Sequence, residues 1–498
     1  MNNKISIHHK PENTVLAFFG KHTGKIICLI ALFFSSSCKK YLDVRPEGEL
    51  IESQLLVDAG GFEAALYGIY GSMNSKALYG EQLSHNALDV LSQYFTCVGN
   101  NNTVNLLQYN YSFSSVESIL QEIWKKSYAN IAYANNVLKN LERFSPEILE
   151  HYNLYKGEAL GLRAFVHFDL VRLFGENIQL QQDATGIPYS TDFGLKAPDF
   201  VSLATVYNNI IADLNSAEQL LGADAQNITF PKTAASYPFL KDREIHFNLY
   251  AVQATLARVY LTKGDLPNAA LYAEKVINSN KFQLLDKAEI GNGISKGVLY
   301  PKECIFGLYS NNYFTTVKER FLLQTTFFSY DNRSNISALY NNVQGGHDYR
   351  WDAFFKLPAN QNEKLRFTKL VDPFQVVDQE YLRPAERIKG INLIRLPEMY
   401  YIAAEALLNT NPDKARDYFD QVLTSRGLIA LKDRVPSLPL TLQMISEDRY
   451  KEFIGEGQSF FHMKRLNLDI TNTSMQVVPA SKSIYVPSIP KIEFDYRN

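Results

Sequence analysis

Apolar residues return every three to four positions through much of the chain, the spacing that predicts helices. In "LYKGEALGLRAFVHFDLVRLFG" (154–175), Ala159, Leu162, Val166, Leu170 and Leu173 form one such stripe, while Ala164, Phe165 and Phe168 lie off it. A helix apolar on more than one face has to be covered on more than one face. That predicts a stacked array of helices and not a simple two-layer domain. "FEAALYGIYGSM" (62–73) opens the folded body, and "TVYNNIIADLNSAEQLL" (205–221) reads as an amphipathic helix. "SVESILQEIWKKSYANIAYANNVLKNLERF" (115–144) predicts one long helix or two.

The array shows itself as a repeat. "LARVYLTKGDLPNAALYAEKVI" (256–277) follows the tetratricopeptide pattern. Leu256, Ala257 and Tyr260 sit on the first helix, Gly264 and Asp265 in the turn, and Ala269 where two helix backbones meet and only a small side chain fits. "RLPEMYYIAAEALLNTNPDKARDYFDQVLTSRGL" (395–428) repeats the layout, with Ala403 and Ala415 at the small positions and Asn411 and Pro412 at the turn. Four helical pairs are expected, two of them well marked, stacked around one shared core. The fold class is therefore all-α, with tetratricopeptide helices near 115–280 and 391–428.

Two stretches have another texture. Residues 76–113 and 281–390 carry short aromatic and threonine-rich runs broken by Asn, Gly and Asp, which predict loops with a few short strands. Long loops on a rigid scaffold are where binding residues concentrate.

The beginning of the chain is different again. A nine-residue apolar run, Ile26 to Phe34, ends in three serines and Cys38. A spanning helix needs about 20 apolar residues, whereas the core of an export signal needs about 7–15. Lys4, Lys10, Lys21 and Lys25 against Glu12 supply the basic flank. The junction looks like a bacterial lipoprotein signal, although Ser35 and Ser37 stand where Leu and a smaller residue are usual. Residues 1–37 are then the signal and Cys38 the acylated first residue of the mature body, 38–498. Buried acyl chains hold a body on a membrane without spanning it, at about 0.8 kcal/mol per CH₂.

The formal net charge is −2, and the basic signal makes the body behind Cys38 slightly more acidic. That excludes an electrostatic footprint for nucleic acid. Besides Cys28 and Cys38, only Cys97 and Cys304 remain, either one disulfide or two isolated thiols, and no disulfide framework. Metal-ligand spacings such as HxxxH or CxxC are missing behind Cys38, and His347 next to Asp348 does not make a site. No cofactor is implied. In "EDRYKEFIGEGQSFFHMKR" (447–465), Asp448 and Glu452 share a helical face with the basic residues that neutralise them. Structural ion pairing explains these carboxylates better than glycoside hydrolysis.

Several stretches together resemble the SusD/RagB family: "CKKYLDVRP", "GEALGLRAFVHFDLVRLFG", "ARVYLTKGDLPNAALYAEKVI", "RLPEMYYIAAEALL", "RYKEFIGEGQSFFHMKRLNL" and the closing "YVPSIPKIEFDYRN", in the expected order. The family more often has Asp at the position of His462. The resemblance implies a tetratricopeptide scaffold with an irregular ligand-binding half and a C-terminal family region. It also implies an outer-membrane lipoprotein facing the cell exterior, which binds oligosaccharide and passes it to a SusC-like TonB-dependent transporter without enzymatic activity. A peptide-binding protein of the RagB type and a tetratricopeptide adaptor for protein partners are the alternatives. Family ligand residues form no motif, so none is carried over.

The binding surface has to be read from chemistry. The chain has 30 Tyr and 31 Phe but 2 Trp. Sugar C–H faces pack on flat rings, and sugar hydroxyls pair with amides and carboxylates, so a glycan site needs exposed aromatics beside Asn, Asp, Gln or Arg. One loop segment offers Tyr94 and Phe95 with Asn100, Asn101 and Asn102; the other offers Tyr309, Tyr313, Tyr330, Asn332, Tyr349 and Trp351. Tyr94, Asn101, Tyr313 and Trp351 are the expected ligand-binding residues.

Overall fold

The tetratricopeptide turn at 263–268 shows how local chemistry starts the architecture. Helix Leu249–Lys263 ends at Gly264, whose φ of 85° closes the C-terminus, and the Asp265 carboxylate then accepts from the Asn268 N–H at 3.2 Å to open helix Leu266–Asn278. Pro267 sits in the first turn, where its missing N–H costs nothing. Asn411 and Pro412 repeat the device between helices Leu396–Leu407 and Pro412–Ser425, with Asn411 accepting from Lys414 N–H at 3.2 Å.

The computed structural model describes residues 55–97, 101–194, 196–229, 236–291, 297–323, 328–329, 333–341, 346–356, 365–383, 387–495 and 497. Cys38 and the signal stretch 1–37 lie outside these residues. In chain order the helices that matter below are α1 (Ala59–Met73), α2 (Ser114–Leu141), α3 (Tyr152–Phe174), α4 (Leu203–Leu220), α5 (Leu249–Lys263), α6 (Leu266–Asn278), α7 (Tyr313–Phe321), α8 (Leu396–Leu407), α9 (Pro412–Ser425), α10 (Leu442–Glu452) and α11 (Ser459–Leu466). Two strands, β1 (Cys304–Tyr309) and β2 (Gly390–Arg395), pair antiparallel with Tyr309 opposite Gly390.

Consecutive helices pack as neighbours from α1 to α6, and α6 also packs on α8. The two well-marked repeats therefore lie side by side although the chain leaves the array between them. Ala269, Ala270 and Ala273 on α6 and Ala403 and Ala404 on α8 are buried, as the close approach of helices requires. Helix α3 is buried on every side, including Glu158, Arg163, His167, Asp169 and Arg172. The stretch 115–144 is one helix and not two.

The loop-rich stretches contain more helix than their composition predicts. Helices Tyr313–Phe321, Arg333–Asn341 and Tyr349–Phe354 lie in the second stretch and Asn101–Leu107 in the first. Local capping accounts for one of them: Asp348 accepts from the Arg350 N–H at 3.1 Å and starts Tyr349–Phe354. The β1–β2 ladder closes the base of the long excursion from residue 310 to residue 389.

A buried charge network fastens that excursion to the C-terminal region. Arg350 binds Asp348 and Asp448; Arg395 binds Glu303, Glu452 and Glu456; Arg426 binds Glu303 and Glu452, all at 2.6–2.9 Å between buried side chains. The acids come from three separate segments, around 303, 348 and 448–456, so each guanidinium joins parts of the chain that are remote in sequence. Breaking one partner of such a buried pair leaves an uncompensated charge, at a cost of about 3–5 kcal/mol.

Candidate functional site

Three of the four expected platforms turn inward. Tyr94 is buried: its ring stacks on Tyr450 at 4.1 Å, and its hydroxyl lies 2.6 Å from Ser459 Oγ and donates to the Tyr450 carbonyl. Tyr313 is buried with its hydroxyl 3.2 Å from His85 Nδ1. Trp351 is buried between Phe355 and Tyr340, with ring centroids 5.1 and 6.0 Å away. These rings fill the interior and are not offered to a ligand, because each found an aromatic or polar partner elsewhere in the fold. The fourth, Asn101, begins helix Asn101–Leu107, and its side chain lies outside the described residues, as do Asn100, Tyr330 and Asn332. The side chain of Cys97 also lies outside them, while Cys304 is buried on β1.

Tyr309, four residues before Tyr313, has the property the others lack. The first five residues of β1 are buried, but the strand ends at Tyr309 and the ring emerges 49% exposed. Its hydroxyl donates to Asn311 Oδ1 at 2.9 Å. The Asn74 side-chain amide, at the C-terminus of α1, donates to the Tyr309 carbonyl at 3.4 Å. Beside them the Lys76 ammonium stands 4.0 Å from Glu319 Oε2 on α7, both side chains mostly in water. Three elements thus bring a flat ring, two amides, a cation and a carboxylate to one surface.

The ground beneath this surface is fixed. Arg320 pairs with Glu81, tying α7 to the segment that follows α1. The Tyr79 hydroxyl donates to Asp169 on α3 at 2.7 Å, and Ser84 Oγ donates to the Tyr79 carbonyl at 2.9 Å. Burial lowers the His85 imidazole well below its ordinary range, and the Arg320 charge acts in the same direction, so His85 is neutral against Tyr313. Tyr313 supports the site from below. In the second loop segment the ring that reaches solvent is that of Tyr309 and not that of Tyr313. The Ser-Asn-Asn run directly behind Tyr309 is the signal in the sequence for a ring leaving the core.

A second surface is apolar. Val376, Val377, Tyr381 and Leu382 are all more than half exposed, with Tyr381 at 81%. The carboxylates that sequence pattern placed on one helical face are elsewhere and inaccessible. Burial opposes ionisation of Asp448, but Arg350 and Lys451 outweigh it and hold the carboxyl well below the usual range. Glu452 is held low in the same way by Arg426 and Arg395. Both serve as ion-pair partners. Among the described residues, no three His, Cys, Asp or Glu side chains gather as a metal site requires, and no helix is long and apolar enough to cross a membrane.

Comparison with known proteins agrees with this architecture. Residues 40–261 match a family model described as starch-binding, associating with the outer membrane, and residues 314–488 match the model of the SusD family. SusD-like protein P2 of Formosa agariphila is 27% identical over 265 residues, which cover 51% of this chain and 46% of that protein. The chain thus spans less than half the length of the curated relatives it matches. A SusD superfamily protein of Bacteroides thetaiotaomicron superposes with a TM-score of 0.70 at 23% identity, covering 88% of this chain and 98% of the other. A laminarin-binding SusD-like protein superposes with a TM-score of 0.64 at 19% identity, covering 88% and 98%.

Proposed function

This chain belongs to the SusD/RagB family, and from that premise we propose that it captures an oligosaccharide at the cell surface and passes it to a SusC-like TonB-dependent transporter. The observation that carries the glycan reading is the exposed Tyr309 ring beside Asn311, Asn74, Lys76 and Glu319. A sugar ring packs its C–H face on the phenol, and its hydroxyls replace water on the amides and charged groups. The protein binds its ligand and does not cleave it; Asp448 and Glu452, the carboxylate pair closest to a hydrolase pattern, are spent on arginines. Residues 1–37 direct export, Cys38 carries the lipid, and 38–498 form one SusD-like body on the outer face of the outer membrane.

Calorimetry against a panel of oligosaccharides, with laminarin fragments among them, tests the site. A stacked ring contributes about 1–3 kcal/mol, so Tyr309→Ala is expected to weaken binding about five- to 150-fold. Asn311→Ala is expected to weaken it less. If both variants melt as wild type does and bind an identified glycan equally well, the site lies elsewhere.

The transporter reading draws on the family and on the exposed apolar side chains of Val376, Val377, Tyr381 and Leu382. Gentle detergent extraction of native membranes is expected to co-isolate a large barrel, and Tyr381→Asp to reduce its recovery. Repeated recovery of the protein alone would count against the partner.

A further inference from the structure

Helices α3, α5, α8, α10 and α11 meet around the carboxylate of Glu398, and there basic groups outnumber acids. Arg258 binds Glu398 through Nε at 2.8 Å and Nη2 at 2.5 Å. Arg449 Nη2 stands 3.8 Å from the same carboxylate, beyond hydrogen-bond reach. Arg172 pairs with Asp169 and reaches Gln458 at 3.3 Å, and Arg465 pairs with Glu405 at 2.7 Å. Four guanidiniums therefore share three carboxylates, all of them buried. His462 adds no acceptor charge, because burial and then Arg449 and Arg465 keep its imidazole neutral.

The surplus appears in the donors as well. Arg449 Nε and Nη1, Arg258 Nη1 and Arg172 Nε are buried, and among the described residues no acceptor lies within their reach. Ring faces are the neighbours instead. Arg172 lies 4.0 Å from the Phe461 centroid and 4.5 Å from that of Phe168, and Arg449 lies 5.3 Å from that of Phe453. A ring face attracts a guanidinium but does not satisfy an N–H donor as an anion does. Burial lowers the Arg449 and Arg172 guanidinium pKa, and the nearby carboxylates do not make up the difference. In the neighbouring network, Arg350, Arg395 and Arg426 move the opposite way, because each has two or more carboxylates against it. Buried guanidiniums without acceptors are costly, and proteins rarely leave them so.

We propose that this cluster binds a small monovalent anion, of which chloride is the type, against Arg449, with Arg258 and Arg172 supplying further N–H donors. One such charge balances four guanidiniums against three carboxylates. A water molecule satisfies donors but leaves the charge, and a divalent oxyanion overshoots it. The bound anion ties α10 to α3 and α5, so its effect is on the stability of the helical array.

Bromide has the same chemistry and scatters anomalously. Crystals of the purified protein grown in bromide are expected to show an anomalous peak at hydrogen-bonding distance from Arg449. At constant ionic strength, replacing gluconate by chloride is expected to raise the unfolding midpoint along a saturating curve, and sulfate is not expected to substitute. Arg449→Met is expected to abolish the chloride dependence. If that variant does not fold, the bromide map of the wild-type protein decides alone. Density without anomalous signal, or a midpoint that follows ionic strength whatever the anion, overturns the proposal.

Discussion

The ammonium of Lys369 donates to the carbonyl oxygen of Ile454 at 2.8 Å. It donates to the Glu452 carbonyl at the same distance and pairs with the Glu456 carboxylate. From the other side, Asp89 accepts from the Gly455 and Gly457 N–H groups. One glycine turn is thus gripped by an ammonium on its carbonyls and, on its amides, by the Asp89 carboxyl, which burial pushes up to about 8. The three segments involved come from the beginning, middle and end of the body, so the turn acts as a clasp between the loop-rich half and the C-terminal helices.

Gly457 is predicted to be irreplaceable in that turn. Its φ is 67°, and an added Cβ would lie 2.3 Å from the Leu83 carbonyl oxygen, which is backbone and cannot step aside. Left-handed backbone and the clash together make Gly457→Ala destabilising by about 3 kcal/mol. Denaturant unfolding checks it, with Gly222→Ala as control, since nothing lies within 4 Å of a Cβ there. Equal midpoints for the two variants would show that the turn relaxes freely.

Stability is predicted to fall on acidification, first through the buried histidines and then more steeply through the buried carboxylates. Burial alone would raise the Glu158 carboxyl, but Arg243 and then His246 outweigh it and hold it at about 2. Asp448, Glu452 and Glu398 are also held low against burial by their arginines. With folded values below unfolded ones, the unfolded chain binds more protons in the acidic range, so stability rises with pH there. The contribution is present above the ordinary carboxylate range near pH 4 and is lost as pH falls through the lower folded values. Melting curves from pH 8 to pH 2 are expected to decline gently below about pH 6.5, where the unfolded chain protonates His85, His246 and His462 while burial keeps them neutral in the fold, and steeply below about pH 4. An equally steep decline between pH 8 and pH 5 would contradict the assignment.

Trp351 and Tyr309 are predicted to separate stability from binding. Trp351→Ala empties a buried space against Tyr340 and Phe355 and is expected to cost about 3–5 kcal/mol. Tyr309→Ala removes a half-exposed ring and is expected to leave the melting curve near wild type. The reverse pattern would return Trp351 to the ligand surface.

Cys38→Ala is predicted to move the protein out of the membrane fraction, since on the proposed reading acyl chains on Cys38 are its anchor. Fractionation together with mass spectrometry of the N-terminal peptide checks this. Retention in the membrane with no lipid on Cys38 would exclude it.

The sequence by itself determined the helical scaffold, because helices are written locally. Stripes at three- to four-residue spacing, the Gly264 and Asp265 turn, the Asn411 and Pro412 turn and the small residues at helix crossings all act within a few positions. The pairing of Asp448 and Glu452 with basic residues was legible for the same reason in part, although their partners Arg350, Arg395 and Arg426 come from other segments. Tertiary structure alone decided which aromatics face solvent. Tyr94 was drawn inward by Ser459, 365 residues away, and Tyr313 by His85, 228 residues away. A loop has no periodicity to mark an inner and an outer face, so its composition announces rings and amides but not their direction. Tyr309 is exposed because β1 ends there while Gly390 holds its backbone from across the ladder, a pairing that exists only once the chain between them has folded back.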